Sequence, residues 1–224
     1  MQEPLPVLMG RRVLLREPRE GDAAPIFEHT SDPEVTRFLS FDPPRVIEET
    51  ELFIARARES RLHDREYAFV IASLATDEPF GVIALRHMDL MASTAQIGTW
   101  VARRHWGTGV NSEAKGLLLD YAFDELGLHR IEARIPSSNE RSLRAFEKLG
   151  AVCEGTLRES FVKDGRHEDT HLYAILSSDW DRVRNGARQG LTPPPRLQRS
   201  AEASREGGRP AATMWLEIGR YHND

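Results

Sequence analysis

Apolar residues cluster from Arg12 to Glu17, where Val13, Leu14 and Leu15 interrupt a charged segment, and this predicts a first strand. Asp22 to Thr30 and Asp32 to Leu39 read as short helices. The second opens on Asp32-Pro33-Glu34: a cap residue, a proline in the first turn and an acid near the positive dipole end. After the break at Pro43-Pro44, Val46 to Leu62 predicts a longer helix. Tyr67 to Ser73, Pro79 to Met88 and Thr94 to Val101 read as three strands joined by short polar turns. Val110, Ala114, Leu117, Leu118, Tyr121 and Ala122 then follow helical spacing, and that helix ends near Gly127.

From Arg130 to Ile135 the pattern returns to alternation. Ile131, Ala133 and Ile135 face one way and Arg130, Glu132 and Arg134 the other, as in a half-buried strand. Asn139 to Leu149 predicts a helix stopped by Gly150. Val152 to Val162 and Arg166 to Leu176 predict a hairpin, because Asp164-Gly165 is a favoured two-residue turn. Ser178 to Arg188 predicts a closing helix. The expected fold class is α/β with a mixed sheet.

Composition narrows the function classes. The chain has 224 residues, 40% hydrophobic and 29% charged, ordinary for a soluble globular protein. A net charge of -5 argues against nucleic-acid binding, which favours a basic surface. Cys153 is the single cysteine, so an intramolecular disulfide and a cysteine zinc site are excluded. No histidine or carboxylate spacing suggests a metal. The first ten residues carry no signal pattern, and no run approaches a membrane helix, so a cytoplasmic location is expected. Residues 10–189 are expected to form one domain. Beyond Gly190, Pro193-Pro194-Pro195 and the Ser, Glu, Arg, Gly and Pro residues up to Pro210 predict a disordered linker, dispensable for folding; the apolar patch from Met214 to Ile218 beyond it is either part of a floppy tail or a segment that docks on its own domain or on a neighbouring subunit.

The densest chemical signal is Arg104-His105-Trp106-Gly107-Thr108-Gly109, placed between a strand and a helix. Glycines at such a junction let backbone N–H groups approach an anion closely. The helix start adds unpaired N–H groups and a positive dipole end. The loop is a candidate pyrophosphate site. It lacks the spacing of the dinucleotide and Walker-type nucleotide patterns.

One ordered set of motifs extends this reading. Arg104-x-x-Gly107-x-Gly109 is followed by Asn139-x-x-Ser142 before Gly150, then Glu154-Gly155, and finally Asp169 to Leu176. In this set the chain resembles the GNAT superfamily of acetyl-CoA-dependent N-acetyltransferases over about Gly10 to Trp180. Trp106 to Ala114 and the early Asp32 to Phe38 are most similar to the Rim-type branch, which acetylates ribosomal-protein N-termini. The resemblance implies a mixed central sheet with flanking helices, whose fourth and fifth strands, here Thr94 to Val101 and Arg130 to Ile135, splay apart around the pantetheine arm. It implies a bulge in the fourth strand and backbone contacts near Trp100 and Val101. It places pyrophosphate contacts at Gly107, Thr108, Gly109 and Val110, with Arg104 at the position that opens the loop.

The resemblance also implies direct attack of a neutral amine on the acetyl thioester, with the Val101 N–H facing the developing oxyanion. Many relatives place a tyrosine acid where this chain has Phe146, which has no proton to give and is expected to pack beside the cofactor. Ser142 matches a serine assigned as the acid in Rim-type enzymes; a hydroxyl is a poor acid by pKa, so Ser142 is expected to orient a water or hydrogen-bond the sulfur, or else only to support the helix start. Asn139 is expected to cap its helix and touch the pantetheine. The expected strand position for a glutamate base falls near Phe161, which leaves Glu159, two residues earlier on the same face, or a water chain as the base. Acceptor contacts are expected around Phe38 and Trp100. The acceptor is a protein N-terminal α-amine or a small-molecule amine, with no nucleic acid or membrane partner, and the protein is a monomer or homodimer. A CoA-binding regulatory module with little catalysis is the second reading.

Overall fold

The computed structural model describes residues 4–189. Eight strands form one sheet in the order β1-β2-β3-β4-β5-β6-β8-β7. They are β1 (Leu8–Met9), β2 (Val13–Arg16), β3 (Glu66–Ser73), β4 (Pro79–Asp89), β5 (Thr94–Val101), β6 (Arg130–Pro136), β7 (Val152–Lys163) and β8 (Arg166–Leu176). Six α-helices accompany them: α1 (Ala23–Thr30), α2 (Pro33–Thr36), α3 (Ile47–Leu62), α4 (Val110–Asp120), α5 (Glu140–Lys148) and α6 (Ser177–Gln189). The mixed α/β expectation holds. The strand pairs are antiparallel except β5–β6, which α4 connects as a parallel crossover.

Two layers of side chains follow from strand alternation. On one face, Val13, Leu15, Phe69, Ile71, Ile83 and Leu85 pack with Ala114 and Leu118 of α4 and with Leu143 and Phe146 of α5. On the other, Val70, Ala72 and Val82 meet Ile26 of α1 and Phe53 of α3. The helices therefore cover both faces, and the central strands β3 and β4 are buried throughout most of their length.

Departures from the expected elements have local causes. Asp32 caps α2 by accepting from the Glu34 N–H at 3.0 Å, but the helix stops at Thr36, shorter than the pattern to Leu39 predicts. The helix after Gly109 is regular only to Asp120 and continues as a π-helical turn over Tyr121–Glu125. The expectations for residues 190–224 lie outside the described residues.

Candidate active site

The site begins where β5 and β6 part. Their ladder holds only three pairs, Thr94↔Arg130, Ala95↔Ile131 and Gln96↔Glu132. Beyond it, β5 continues to Val101 against β4, and β6 continues to Pro136 against β8. The Ala102 N–H donates to the Phe80 carbonyl at 2.7 Å. Antiparallel alternation then gives the backbone groups of Ala102, Trp100 and Gly98 to β4. It turns those of Val101, Thr99 and Ile97 toward β6. Past the last rung of the ladder, which uses the Ile97 N–H, these groups face a gap, and an extended ligand with amide donors and acceptors fits such an edge as an added strand.

This geometry corrects the expected bulge. The β4–β5 register runs without interruption from Gly81↔Val101 to Arg86↔Gln96. The shift comes later, between Arg86 and Asp89, where His87 of β4 has φ +48°. Splaying, not a bulge near Trp100, leaves the backbone of β5 open. The Trp100 backbone consequently faces β4, and its side chain packs on the α1–α3 face with Ile26 and Val82. Val101 is the member of the expected pair whose backbone faces the gap.

The loop after β5 is shaped by two left-handed glycines, Gly107 at φ +76° and Gly109 at φ +85°, a region that L side chains rarely adopt. Gly109 is also the cap residue of α4, and Val110, the first helical residue, is buried. The Thr108 hydroxyl donates to the His105 carbonyl at 2.7 Å and so closes the turn. The loop is anchored from the turn that precedes β2. Arg12 donates to the Thr108 carbonyl at 2.7 Å and to Glu113 Oε2 at 3.0 Å, while the Arg11 and Arg12 N–H groups donate to Glu113 Oε1 at 2.6 and 2.9 Å. Glu113, in the first turn of α4, thus ties the chain before β2 to the start of that helix. Burial pushes its pKa up, yet the Arg12 and Arg11 hydrogen bonds outweigh that and hold it below the usual carboxylate range. Arg104, expected to open the loop toward pyrophosphate, is engaged elsewhere: its guanidinium contacts Glu78 and lies 3.4 Å from His29 Nε2.

At the open ends of β5 and β6 lies a cleft of about 280 Å³, lined by Glu34, Arg37 and Phe38 on one side and by Trp106, Asn139 and Arg141 on the other. Trp106 Nε1 donates to the Val101 carbonyl at 2.7 Å, and the Arg141 guanidinium carbon stacks 3.4 Å from the Trp106 ring centroid. Asn139 caps α5 by accepting from the Ser142 N–H at 3.2 Å. The turn before it is held by Glu168 of β8, which accepts from the Ser138 N–H and from the Ser137 hydroxyl, the latter at 3.0 Å.

Phe38, Asn139, Val101 and the glycine loop therefore converge on one end of the sheet. Ser142 is half-buried one turn into α5, and Phe146 is buried a further turn on. Glu159 does not join them. The β7–β8 register shifts between Leu157 and Phe161, and Glu159 sits in that bulge at φ +51°, exposed, with its N–H donating to Asp169 at 2.9 Å. The shift breaks the strict alternation that placed Glu159 and Phe161 on one face.

Three residues that pattern reading passed over belong to this region. Trp106 was legible only as part of the loop, and Glu168 only as a strand residue. Lys115 interrupts the apolar stripe of α4, yet it is fully buried, and its Nζ lies 3.9 Å from the Phe146 ring centroid.

Comparison with known proteins accords with this geometry. Residues 12–152 match the family model described as an acetyltransferase (GNAT) domain. The chain is 31% identical over 173 residues to an N-acetyltransferase designated p20 of Bacillus licheniformis, covering 77% of this chain and 97% of that one. It is 32% identical over 115 residues to the ribosomal-protein-serine acetyltransferase of Escherichia coli, covering 51% of this chain and 64% of the other. The crystal structure of spermidine N-acetyltransferase from Vibrio cholerae with CoA and spermine superimposes with a TM-score of 0.67 at 24% identity, covering 75% of this chain and 97% of that one. The chain belongs to the GNAT acetyltransferase family, with relatives in its ribosomal-protein branch, and is an acyltransferase.

Proposed function

We propose that this protein transfers the acetyl group of acetyl-CoA to a primary amine by direct attack within a ternary complex. The observation that carries the reading is the broken β5–β6 ladder, with the backbone groups of Thr99 and the Val101 N–H aimed into the gap. The pantetheine arm offers amide groups along an extended chain, and those backbone groups match it. Gly107 to Val110 receive the pyrophosphate through backbone N–H groups at the start of α4.

Chemistry then takes place at the mouth of the gap. The acceptor nitrogen attacks the thioester carbonyl, and the oxygen that gains charge accepts from the Val101 N–H. The C–S bond breaks, the attacking nitrogen gives up one proton to water, and the thiolate takes one from Ser142, which water reprotonates, or from a water that Ser142 orients. Holding both reactants in one cleft lowers the entropic part of the barrier, by ~7–11 kcal/mol in favourable cases.

The acceptor enters between α2 and α5, past Phe38 and Glu34. Glu34 gives the entrance a carboxylate suited to an ammonium group, and Phe38 gives it an apolar wall. Relatives acting on a ribosomal-protein serine and on spermidine mark the two acceptor classes to compare: a peptide α-amine and a polyamine. Thiol release from acetyl-CoA, followed over a panel of serine-starting peptides and polyamines, tests the reading. Amine-dependent turnover is expected. CoA binding without turnover on any primary amine would instead support a CoA-binding regulatory module.

A further inference from the structure

Lys115 lies in the interior of α4, one turn after Asn111. Its side chain is fully buried, and among the described residues its Nζ is the buried side-chain polar atom with no hydrogen-bond partner. Among the described residues, no carboxylate offsets it. The charge it feels is that of Arg141 in the first turn of α5, which is repulsive; burial first, and Arg141 second, push its pKa down to about 7. The Phe146 face beneath the amine gives a weak cation–π contact. Burying a polar group without a hydrogen-bond partner costs more than such a contact returns. The aromatic contact therefore does not repay the burial, and a methionine would fill the same space without that cost. Folding alone gives no reason for an amine here.

Its location gives one. Asn111, on the same face of α4, lies 3.5 Å from the Thr99 hydroxyl in the unpaired part of β5. Phe146 belongs to the same cluster as Ile131, Ala133 and Ile135 of β6. Lys115 thus reaches from α4 to Phe146 of α5, one helical turn from the Asn111–Thr99 contact at the stretch of β5 that has parted from β6. Helical side chains lean toward the N-terminus of their helix, which carries this amine toward Asn111 and Thr99.

We propose that Lys115 binds the acyl-CoA arm, its amine donating a hydrogen bond to a carbonyl oxygen of the ligand in the β5–β6 gap. This rests on the acetyl-CoA reading above. The missing partner of a buried donor is then supplied by the ligand, so Lys115 raises affinity at the expense of ligand-free stability. No covalent step is involved, and the proton stays on nitrogen.

The test uses the full chain, with acetyl-CoA as the probe. Lys115→Met keeps the length and apolar body of the side chain and removes the donor. Calorimetry is expected to show acetyl-CoA binding at least tenfold weaker, while the melting temperature of the ligand-free variant is unchanged or higher. A purely structural lysine predicts a lower melting temperature with affinity preserved, and affinity within twofold of wild type would overturn the proposal. A crystal structure of the wild-type protein with CoA decides the matter without the variant. An Nζ within hydrogen-bond distance of the arm supports it, and an Nζ touching no CoA atom overturns it. Wild-type protein that fails to bind acetyl-CoA at all would instead remove the underlying functional reading.

Discussion

The indole N–H of Trp106 donates to the carbonyl oxygen of Val101 at 2.7 Å, tying the glycine loop back onto the last residue of β5. That carbonyl would otherwise point into the gap without a strand partner. The bond fixes the peptide that follows Val101 and so restrains the backbone torsion of Val101, next to the peptide that carries its N–H. Trp106→Phe keeps an aromatic face for Arg141 and removes the donor. Steady-state kinetics should show kcat/KM lower by about five- to tenfold, the equivalent of one hydrogen bond of ~1 kcal/mol. A variant with unchanged kcat/KM would mean that β5 holds its end without the loop.

Gly107 and Gly109 share a left-handed backbone but not their surroundings. A Cβ at Gly107 meets nothing within 4 Å, whereas one at Gly109 comes within 2.9 Å of Arg12 Nη2. Gly107→Ala should therefore cost only backbone strain, ~1–2 kcal/mol of stability, with acetyl-CoA still bound. Gly109→Glu adds bulk and negative charge where pyrophosphate is proposed to sit. Calorimetry on the folded Gly109→Glu protein should show acetyl-CoA affinity reduced more than tenfold. Equal affinity would move the phosphate site away from this loop.

These two positions also show what pattern reading reaches. Local signals carried well: Asn139 as a cap, the Gly107–Gly109 turn and the alternation of Arg130 to Ile135 all fall where sequence placed them. Relationships between distant segments did not carry. Nothing near Arg12 in sequence says that it reaches Thr108, and nothing near Glu168 says that it holds Ser137 and Ser138. Leu8–Met9 is too short to show a period. Glu159 misled because one bulge shifts every later side chain, and no glycine or proline at that point announces it. Lys115 escaped notice because a lysine within a helical stripe ordinarily lies at the edge and reaches solvent.

Glu168 offers a pH-dependent check. Burial pushes its pKa up, but the hydrogen bonds from Ser138 and Ser137 and the nearby Arg37 outweigh burial, and the carboxyl is held below its ordinary 4.5. A carboxylate with a depressed folded-state pKa contributes stability above its unfolded value and loses it as pH falls through the folded value. Glu168→Gln should lower the melting temperature at pH 7. The gap to wild type should close as pH drops below about 4.5. Because the turn before α5 loosens, KM for acetyl-CoA should rise more than kcat falls. A gap of constant size from pH 7 to pH 4 would show that the carboxylate charge contributes nothing there.

Ser142 stands one turn after Asn139, on the helix whose first turn lines the cleft. Its N–H is taken by Asn139, so substitution of its hydroxyl leaves the cap intact. Phe146, buried a turn further on, has no proton to donate. If the Ser142 hydroxyl helps to protonate or position the thiolate, its interaction strengthens in the transition state. Ser142→Ala should then lower kcat by about ten- to a hundredfold, ~1.5–3 kcal/mol for one hydrogen bond to developing charge. Acetyl-CoA affinity, measured separately by calorimetry, should stay the same. That split separates a role in turnover from a role in building the helix start, which would weaken binding and turnover together. An unchanged kcat, in folded protein with chemistry rate-limiting, would assign the proton to water and leave Ser142 to the framework of α5.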